Sequence, residues 1–290
     1  MSANSGGQPT TGSVVRRMIL GSQLRRLREE AGITRAEAGY LIRGSDSKMS
    51  RLELGRVGFK ERDVVDLLKH YGVTDPADHE SYLSLVALTN QPGWWRNYND
   101  LLPKWFEDYV GLEEAASLIQ NYELQFIPGL LQTEQYIRAV VSRGEMDKVS
   151  QEIERRVALR LQRQKVLLNP QGPRFWAVID ESVLHRPLGG VEVLAAQIDR
   201  LLELTKLPHI SVQIVPYALS GCAAEGPFTL LRFAQPELPN IAYVEYLTGA
   251  LYLERQDEVE TFSRAMDRLA VAALTPEQSR ARLSQIRAEL

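Results

Sequence analysis

The segment from residue 33 to residue 56 constrains the fold of this chain more than any other part of the sequence. It reads ITRAEAGYLIRGSDSKMSRLELGR. Thr34 is placed to cap one short helix, and Ser45 is placed to cap another after the break at Gly44. Gly55 provides a stop for the second helix. The pattern therefore predicts two short helices joined by a tight turn.

The second of these helices has an apolar side and a polar side. Met49 and Leu52 lie three residues apart and are predicted to point inward. The outer and N-terminal surface then carries Asp46, Ser47, Lys48, Ser50 and Arg51. A short, capped, polar-faced helix held rigidly by its neighbour suits the reading of a DNA major groove.

This segment resembles the Xre/Cro-type helix-turn-helix family and aligns to its pattern without a gap. The closing Glu-x-Gly-Arg of that family is matched by Glu53, Gly55 and Arg56. The likeness covers about residues 15–73. It implies a sequence-specific DNA-binding domain, and it implies that Arg28 and Glu53 form a structural ion pair rather than contact DNA.

Two residues depart from the family pattern. Arg35 stands where the family usually has an amide side chain, which favours a phosphate contact at this position. Gly39 stands where alanine is usual, and we expect it to lower helix stability by about 1 kcal/mol.

The position of each residue in the motif suggests its contact with DNA. Arg51 can bind guanine through two hydrogen bonds, the commonest specific pairing. Asp46 and Ser47 lie near the N-terminus of the recognition helix, where side chains meet base edges. The expected phosphate contacts are Arg35, the backbone of Ser45, Lys48 and Arg56. The residues alone also allow a polar face that is merely solvated, or a fold that binds protein.

The distribution of charge separates this region from the rest of the chain. The 290 residues carry a formal net charge of −3. Residues 1–73 contain 13 Lys and Arg against 8 Asp and Glu, whereas the remainder contains 21 against 29. A basic first quarter is typical of a part that binds a polyanion, although an excess of five charges is modest. We predict a disordered tail at 1–13, an all-α domain of five helices at 14–91 and a second domain at 92–290.

The second domain follows a mixed pattern. Apolar residues that recur every four positions predict a long amphipathic helix ending before Asn169. Short segments rich in β-formers predict strands at 117–122, 175–179, 210–215, 228–233, 241–247 and 251–253. Because helices interleave with mostly adjacent strands, we predict an α+β domain with a largely antiparallel sheet.

A second resemblance is based on the run Pro128-Gly129-Leu130-Leu131-Gln132-Thr133 and extends over about residues 94–274. This region is similar to the C-terminal domain of actinobacterial regulators of the WhiJ-like kind, where it follows an Xre-type domain. The resemblance implies transcriptional control of development or secondary metabolism, often beside a small partner protein encoded nearby. It implies neither an enzymatic activity nor a settled ligand.

Two sets of polar residues in the second domain are candidates for binding a ligand or partner. Arg156, Arg160 and Arg163 can form a cationic stripe for an anion, or they can pair with neighbours such as Glu152. A further set can line a pocket or simply be satisfied at strand ends. It consists of Tyr122, Glu123, Asp180, Glu181, Arg186 and Glu245.

The sequence offers little for catalysis, so we expect no enzyme, no cofactor and no bound metal. The histidines are scattered without metal-ligand spacing, at His70, His79, His185 and His209. Asp180 and Glu181 would point to opposite faces of a strand and so could not act as a pair. No Walker, dinucleotide-binding or Gly-x-Ser-x-Gly motif occurs. The single cysteine, Cys222, is either a reactive thiol or a packing residue.

These observations leave three alternatives. The first is a transcriptional regulator that reads a double-stranded DNA operator as a homodimer, with half-sites about 34 Å apart. Its C-terminal domain would sense an unknown small-molecule effector, recruit a partner or dimerise. The second is an antitoxin-like protein that sequesters a small partner encoded nearby, and the third is an enzyme. With no apolar run near the roughly 20 residues of a membrane span, we expect a cytoplasmic protein without membrane contact.

Overall fold

A computed structural model describes residues 13–90, 93–144, 150–169, 172–219, 226–236 and 238–290. The chain divides into two compact units. The first comprises the described residues of Met1–Asn97 with Glu107–Ala115 and Ala234–Leu238. The second comprises those of Tyr98–Phe106, Ala116–Phe233 and Pro239–Leu290. Residues 1–12 of the predicted tail, and Cys222 with its possible reactivity, lie outside the described residues.

The N-terminal part of the first unit is helical. Its α-helices are α1 (Ser13–Glu30), α2 (Arg35–Leu41), α3 (Asp46–Glu53), α4 (Glu61–His70) and α5 (Pro76–Thr89). Thr34 caps α2 in a capping box with Glu37, Ser45 caps α3, and Asp75 caps α5. The five predicted helices of this region are therefore confirmed, and two of them begin at the predicted caps, Thr34 and Ser45.

One apolar core joins these helices. Leu24 of α1, Leu67 of α4 and Val86 of α5 are buried in it. Met49 and Leu52 of α3 are 0% and 3% exposed, so both point inward as predicted. The apolar side of α3 is thus fully used in packing, which leaves its polar side at the surface.

Gly39 has a packing role that helix propensity does not reveal. A Cβ atom at this position would lie 2.8 Å from the backbone carbon and oxygen of Ser45. Alanine would therefore force the start of α3 away from α2. Glycine at position 39 is expected to lower helix stability, but it also allows α2 and α3 to approach closely. A larger residue would prevent this approach.

A buried ion pair connects α1 to the end of α3. Arg28 Nε donates to Glu53 Oε1 at 2.5 Å, and Arg28 Nη2 donates to Glu53 Oε2 at 3.1 Å. The remaining guanidinium nitrogen donates to the carbonyl of Ile33 at 2.9 Å. Arg28 and Glu53 are each 7% exposed. The hydrogen bonds to Glu53 raise the pKa of Arg28 above its ordinary value, so the guanidinium stays charged.

We expect Arg28→Ala to lower the free energy of unfolding by about 3–5 kcal/mol, because Glu53 would stay buried without its partner. Arg25→Ala on the same helix is the matched control. Arg25 pairs with Glu29, but both side chains are more than half exposed, so its loss should cost less than about 1 kcal/mol. Urea denaturation followed by circular dichroism measures both changes. Equal losses in the two variants would contradict a structural role for the Arg28–Glu53 pair.

The second unit combines a six-stranded sheet with helices. The strands are β1 (Leu118–Glu123), β2 (Arg174–Asp180), β3 (Ile210–Val215), β4 (Phe228–Arg232), β5 (Ile241–Tyr246) and β6 (Gly249–Leu253). The later helices of the chain begin with α6 (Lys104–Ala115), most of which belongs to the first unit. They continue with α7 (Glu134–Gly144), α8 (Ser150–Leu168), α9 (Val191–Leu204), α10 (Gln256–Ala272) and α11 (Pro276–Glu289). Short 3-10 helices cover Trp94–Tyr98, Gly129–Leu131, Glu181–His185 and Tyr217–Leu219. No helix in the described part of the chain has both the length and the apolar character of a membrane span.

The sheet is mixed, which corrects the expectation of a largely antiparallel one. Its strand order is β3-β2-β1-β4-β5-β6. The β1–β2 and β2–β3 pairs are parallel, whereas the other three pairs are antiparallel. The chain passes through α7 and α8 between β1 and β2, and through α9 between β2 and β3. Each of these helical crossovers brings the chain back to the end of the sheet at which the previous strand began. The two strands that it connects therefore run parallel.

The two faces of the sheet carry different side chains. One face packs against α10 in an apolar core that includes Tyr122 and Phe228. Directly opposed residues of neighbouring strands share a face, so Asn121, Thr229 and Tyr243 form a row on the other face. These three polar residues therefore lie side by side on β1, β4 and β5.

Candidate nucleic-acid interface and inner polar cluster

The polar side of α3 forms the first candidate site. Asp46, Ser47 and Arg51 are exposed, while Lys48 and Ser50 are half-buried. Arg51 Nε donates to the carbonyl of Ser47 at 3.3 Å, so its guanidinium lies one turn back, toward the start of the helix. The N-terminal turns of α3 thus present an arginine, a carboxylate and a hydroxyl together.

Two of the predicted phosphate contacts have partners within the first unit. Lys48 Nζ donates to Asp63 Oδ2 at 3.1 Å and to the carbonyl of Ile42 at 3.2 Å. Arg35 Nε lies 3.4 Å from Asp46 Oδ1 in an exposed pair. Opening the exposed pair costs little, whereas a phosphate contact by Lys48 would leave the buried carboxylate of Asp63 without its lysine.

Both ends of α3 are fixed by local hydrogen bonds. The Ser45 hydroxyl accepts from the backbone N–H three residues later at 3.2 Å. At the other end Gly55 has a φ of 66°, and its N–H donates to the carbonyl of Leu52. The N–H of Arg56 donates to the carbonyl of Arg51 at 2.9 Å, which completes a Schellman motif. The exposed Arg56 is therefore held beside the end of the recognition helix.

Arg43 is a further candidate contact, which sequence reasoning missed. Its φ of 52° makes it the one non-glycine residue with positive φ in the part of the chain that the structure describes. The left-handed conformation costs a residue with a Cβ atom about 1–2 kcal/mol. Arg43 is exposed and lies two residues before the cap of α3. A charge kept at a strained position beside this helix suggests a functional role. Its charge was visible in the sequence, but its strain was not.

We expect Arg43→Gly to raise the free energy of unfolding by about 1 kcal/mol, because glycine adopts a positive φ without strain. Arg43→Ala is the matched control, since it removes the same charge but keeps a Cβ atom. Urea denaturation compares the two variants. If Arg43→Gly were no more stable than Arg43→Ala, the turn would not store strain at this residue.

Four of the predicted ligand residues in the second unit are occupied in structural roles. Tyr122 is buried in the apolar core on the α10 side of the sheet. Asp180 caps a 3-10 helix, and Glu181 belongs to that helix rather than to the strand on which it was expected. Glu181 accepts from Arg282 at 2.7 Å and from a backbone N–H at 3.0 Å. Arg186 donates to two backbone carbonyls at 3.0 and 3.1 Å.

The remaining predicted residues meet on the opposite face of the sheet. Glu123 of β1 and Glu245 of β5 interact electrostatically with Arg160 of α8. Arg160 also interacts with Arg163, whose guanidinium lies 4.8 Å from the centre of a phenylalanine ring at position 106. We call the following residues the inner polar cluster: Asn121, Glu123, Arg160, Arg163 and Glu245. Arg156 is instead paired with Glu152 at 3.1 Å, as one of the alternatives had it.

Burial changes the ionisation of two members of the inner polar cluster. It raises the pKa of Glu123 to about 7, and repulsion from Glu245 acts in the same direction. Burial also lowers the pKa of Arg160 to about 10, and the positive charge of Arg163 contributes to this. Both side chains keep some accessible surface. Charges that are disfavoured by their surroundings yet remain accessible are typical of binding sites.

Several groups of the inner polar cluster have hydrogen-bonding capacity left over. Arg160 Nη1 donates to Gln132 Oε1 at 3.2 Å, and no carboxylate of the described residues lies within ion-pair distance of Arg160. Asn121 is 7% exposed. Its Nδ2 donates to Thr229 Oγ1 at 2.9 Å, but its Oδ1 has no donor among the described residues. Glu245 accepts from the Tyr243 hydroxyl at 3.0 Å.

Side-chain amides of three glutamines stabilise the turn at residues 127–133. Arg160 contacts this turn through its hydrogen bond to Gln132. Each amide donates to backbone carbonyls of this turn at 2.7–3.0 Å. The three are Gln132, Gln164 and Gln197. Because Gln132 also accepts from Arg160, the Pro-Gly-Leu-Leu-Gln-Thr run has a second role beyond forming a turn. It fixes one side of the inner polar cluster.

Sequence reasoning missed Asn121, Gln197 and Tyr243 in this arrangement. Asn121 could have been found, because it lies two residues before Glu123 on a predicted strand and so shares its face. Tyr243 and Gln197 gave no such signal, since their partners are distant in the sequence. Within the described residues, no group of three histidine, cysteine, aspartate or glutamate side chains is placed to hold a metal ion.

The fold and the exposed recognition helix define a helix-turn-helix protein with a second, sheet-containing domain. Residues 19–81 match a family model described as a helix-turn-helix domain. Residues 106–285, more than half of the chain, match the family of a domain of unknown function, DUF5753. The chain therefore belongs to the DUF5753 family. Neither a curated protein nor a solved structure matches its sequence.

Proposed function

We propose that this chain is a sequence-specific DNA-binding transcriptional regulator of the Xre type that acts in the cytoplasm. The observation that carries the proposal is the helix-turn-helix match over residues 19–81 with an exposed, capped α3 at its surface. Arg51 would read a guanine, and Asp46, Ser47 and Ser50 would face neighbouring base edges. This division of roles is supported by the exposed position of Arg51 on the polar side of α3.

Phosphate contacts would come from the basic residues around α3. Arg35, Arg43 and Arg56 are all exposed, and the N-terminus of α3 adds its backbone dipole. Such contacts set the register on the duplex and release counterions. The affinity should therefore fall steeply as salt is raised.

The second domain, which resembles that of the WhiJ-like regulators of actinobacteria, would control this activity by sensing a ligand or a partner protein. We propose binding rather than catalysis for it. The two adjacent carboxylates that could have served an acid–base reaction, Asp180 and Glu181, are engaged in a helix cap and an ion pair. In the inner polar cluster, by contrast, Asn121 Oδ1 has no donor among the described residues, and Arg160 donates to the neutral Gln132.

We further propose that the regulator binds its operator as a homodimer. A single recognition helix covers one half-site, and two related by a two-fold axis would read a palindrome with half-sites about 34 Å apart. Sedimentation of the full chain with an operator duplex should give two chains for each duplex. One chain per duplex at saturation would exclude this arrangement.

The proposed function is tested by footprinting on the DNA upstream of the gene that encodes this chain. We expect protection of a discrete site that survives competitor DNA. Arg51→Ala should weaken binding to that site by about 1–3 kcal/mol, roughly 5- to 150-fold, while binding to random duplex changes little. Arg25→Ala, an exposed arginine on α1, is the matched control for the loss of one positive charge.

The outcomes of this experiment separate the alternatives. Equal losses of specific and random binding in Arg51→Ala would assign Arg51 to phosphate rather than to a base. Absence of any protected site would contradict the regulator. A stoichiometric complex with a small protein encoded nearby, formed without DNA, would then favour the antitoxin-like alternative.

A further inference from the structure

The inner polar cluster differs from the buried Arg28–Glu53 pair in how its charges are held. In the first unit the buried Arg28 is joined to Glu53 by two direct hydrogen bonds. In the inner polar cluster Arg160 and Glu123 attract each other, but neither has an opposite charge within ion-pair distance in the described part of the chain. Burying charges without direct pairing is costly, so a bound group that bridges them would be stabilising.

We propose that the inner polar cluster binds a free α-amino acid, with its carboxylate on Arg160 and its ammonium between Glu123 and the Oδ1 atom of Asn121. The inference rests on the proposed function, since it names the ligand that the second domain would sense. It follows from the groups left over in the inner polar cluster, which are of two opposite kinds.

The donor side of the site is Arg160. A guanidinium has five N–H donors in a planar fork, and among the residues that the structure describes only Gln132 accepts a hydrogen bond from Arg160. Planar donors of this kind match a carboxylate. The turn at residues 127–133, fixed by its glutamines, holds Gln132 and thereby the guanidinium in one orientation.

The acceptor side consists of Glu123 and Asn121, which lie two residues apart on the same face of β1. Asn121 Oδ1 is buried and lacks a donor among the described residues. A buried acceptor without a partner is destabilising unless a ligand or a water molecule supplies the missing hydrogen bond, and a ligand ammonium can do so here. Because the carboxylate of Glu123 is negatively charged, the N–H group of the ligand at this position should be positively charged rather than neutral.

One ligand can satisfy both sides. An α-amino acid carries its carboxylate and its ammonium on the same carbon atom, so it can bridge opposite charges that do not touch. Glu123 has a side-chain hydrogen bond with Asn121, so what it lacks is a positive charge in direct contact. A plain carboxylic acid would supply neither that charge nor a donor for Asn121 Oδ1, and a plain amine would leave Arg160 without a carboxylate. The site should therefore require both charged groups of the ligand.

The titration of Glu123 gives the site a characteristic dependence on pH. The groups that face Glu123 are Asn121 on its own strand, Glu245 on β5, Arg160 on α8 and Tyr136 on α7. Between pH 6 and 8 Arg160 stays charged, and burial raises the pKa of Tyr136 so that it stays neutral. Because the pKa of Glu123 is about 7, its carboxylate forms as the pH rises through this interval. Binding of an ammonium group should accordingly strengthen about tenfold between pH 6 and pH 8.

The test uses the full chain and the twenty L-α-amino acids as individual probes. Thermal denaturation finds the amino acid that raises the Tm, and calorimetry at pH 6 and pH 8 measures its Kd. We expect the corresponding deaminated acid and decarboxylated amine to bind at least tenfold more weakly. Glu123→Gln should weaken binding at least tenfold at pH 8 and abolish its pH dependence, and Arg160→Gln should weaken it similarly.

The matched controls are Glu203→Gln and Arg200→Gln on α9, an ion pair with one exposed partner outside the inner polar cluster. Both should bind the amino acid as the unaltered chain does. Arg160→Lys keeps the positive charge but not the planar fork, so it replaces Arg160→Gln if that variant does not fold.

The proposal is overturned if none of the twenty amino acids raises the Tm, or if Glu123→Gln and Arg160→Gln bind as tightly as the controls. DNA binding is measured on the same samples. A chain that protects its operator but binds no amino acid would contradict this inference alone. A chain that binds an amino acid but no DNA would contradict the proposed regulator and leave the site assignment standing.

Discussion

The buried ion pair between Arg28 and Glu53 is the interaction on which the helix-turn-helix unit most depends. It connects α1 to the last residue of α3 and also holds the carbonyl of Ile33 just before α2. Two charges removed from water cost several kcal/mol each, and they are tolerated only where the geometry is good and the other donors are satisfied. Both conditions are met here, so the pair joins α1, the segment before α2 and the end of α3 in one hydrogen-bonded network.

The other contacts of α3 act in the same direction. Met49 and Leu52 bury its apolar side, and Lys48 joins it to Asp63 near the start of α4. The close approach at Gly39 sets the distance between α2 and the beginning of α3. A recognition helix must present its side chains in a fixed register, since base edges differ by single hydrogen-bonding groups. The rigidity of α3 therefore comes from charge, packing and backbone contact together.

The second unit uses charge in the opposite way. Its structural charges, such as Glu181, are satisfied by protein groups, whereas Arg160 and Glu123 are held near each other without direct pairing. The turn at residues 127–133 explains how this arrangement is kept. Its carbonyls are satisfied by glutamine amides, so it can hold Arg160 through Gln132 without any help from a carboxylate. A site of this kind is preorganised for a ligand, because the protein has already met the cost of assembling its charges.

Local features were predictable to the extent that their causes are local. Thr34, Ser45 and Asp75 begin helices because each side chain bonds to a backbone N–H two or three residues away. The sheet was predicted strand by strand, but its parallel half was not, because strand direction depends on where the crossover helices pack. Among the candidate ligand residues, Tyr122 and Glu123 are neighbours on a strand, so the sequence already places their side chains on opposite faces of the sheet. Nothing in the sequence shows that Glu181 is paired with Arg282 across the fold.

The sequence by itself determined the helix caps, the polar surface of the recognition helix and the strand segments, because these depend on neighbours within one or two turns. The Arg28–Glu53 pair joins residues 25 positions apart, and it was expected only from the resemblance to the Xre/Cro-type family. Only the tertiary structure decided the direction of the strands and the difference between satisfied and unsatisfied charges. Arg156 and Arg160 lie on one helix face and look equivalent in the sequence, but the first is paired with Glu152 and the second is not paired with any carboxylate in the described part of the chain. Their difference arises from the tertiary surroundings of Arg160, which donates to Gln132 and interacts electrostatically with Glu123 and Glu245, residues far from it along the chain.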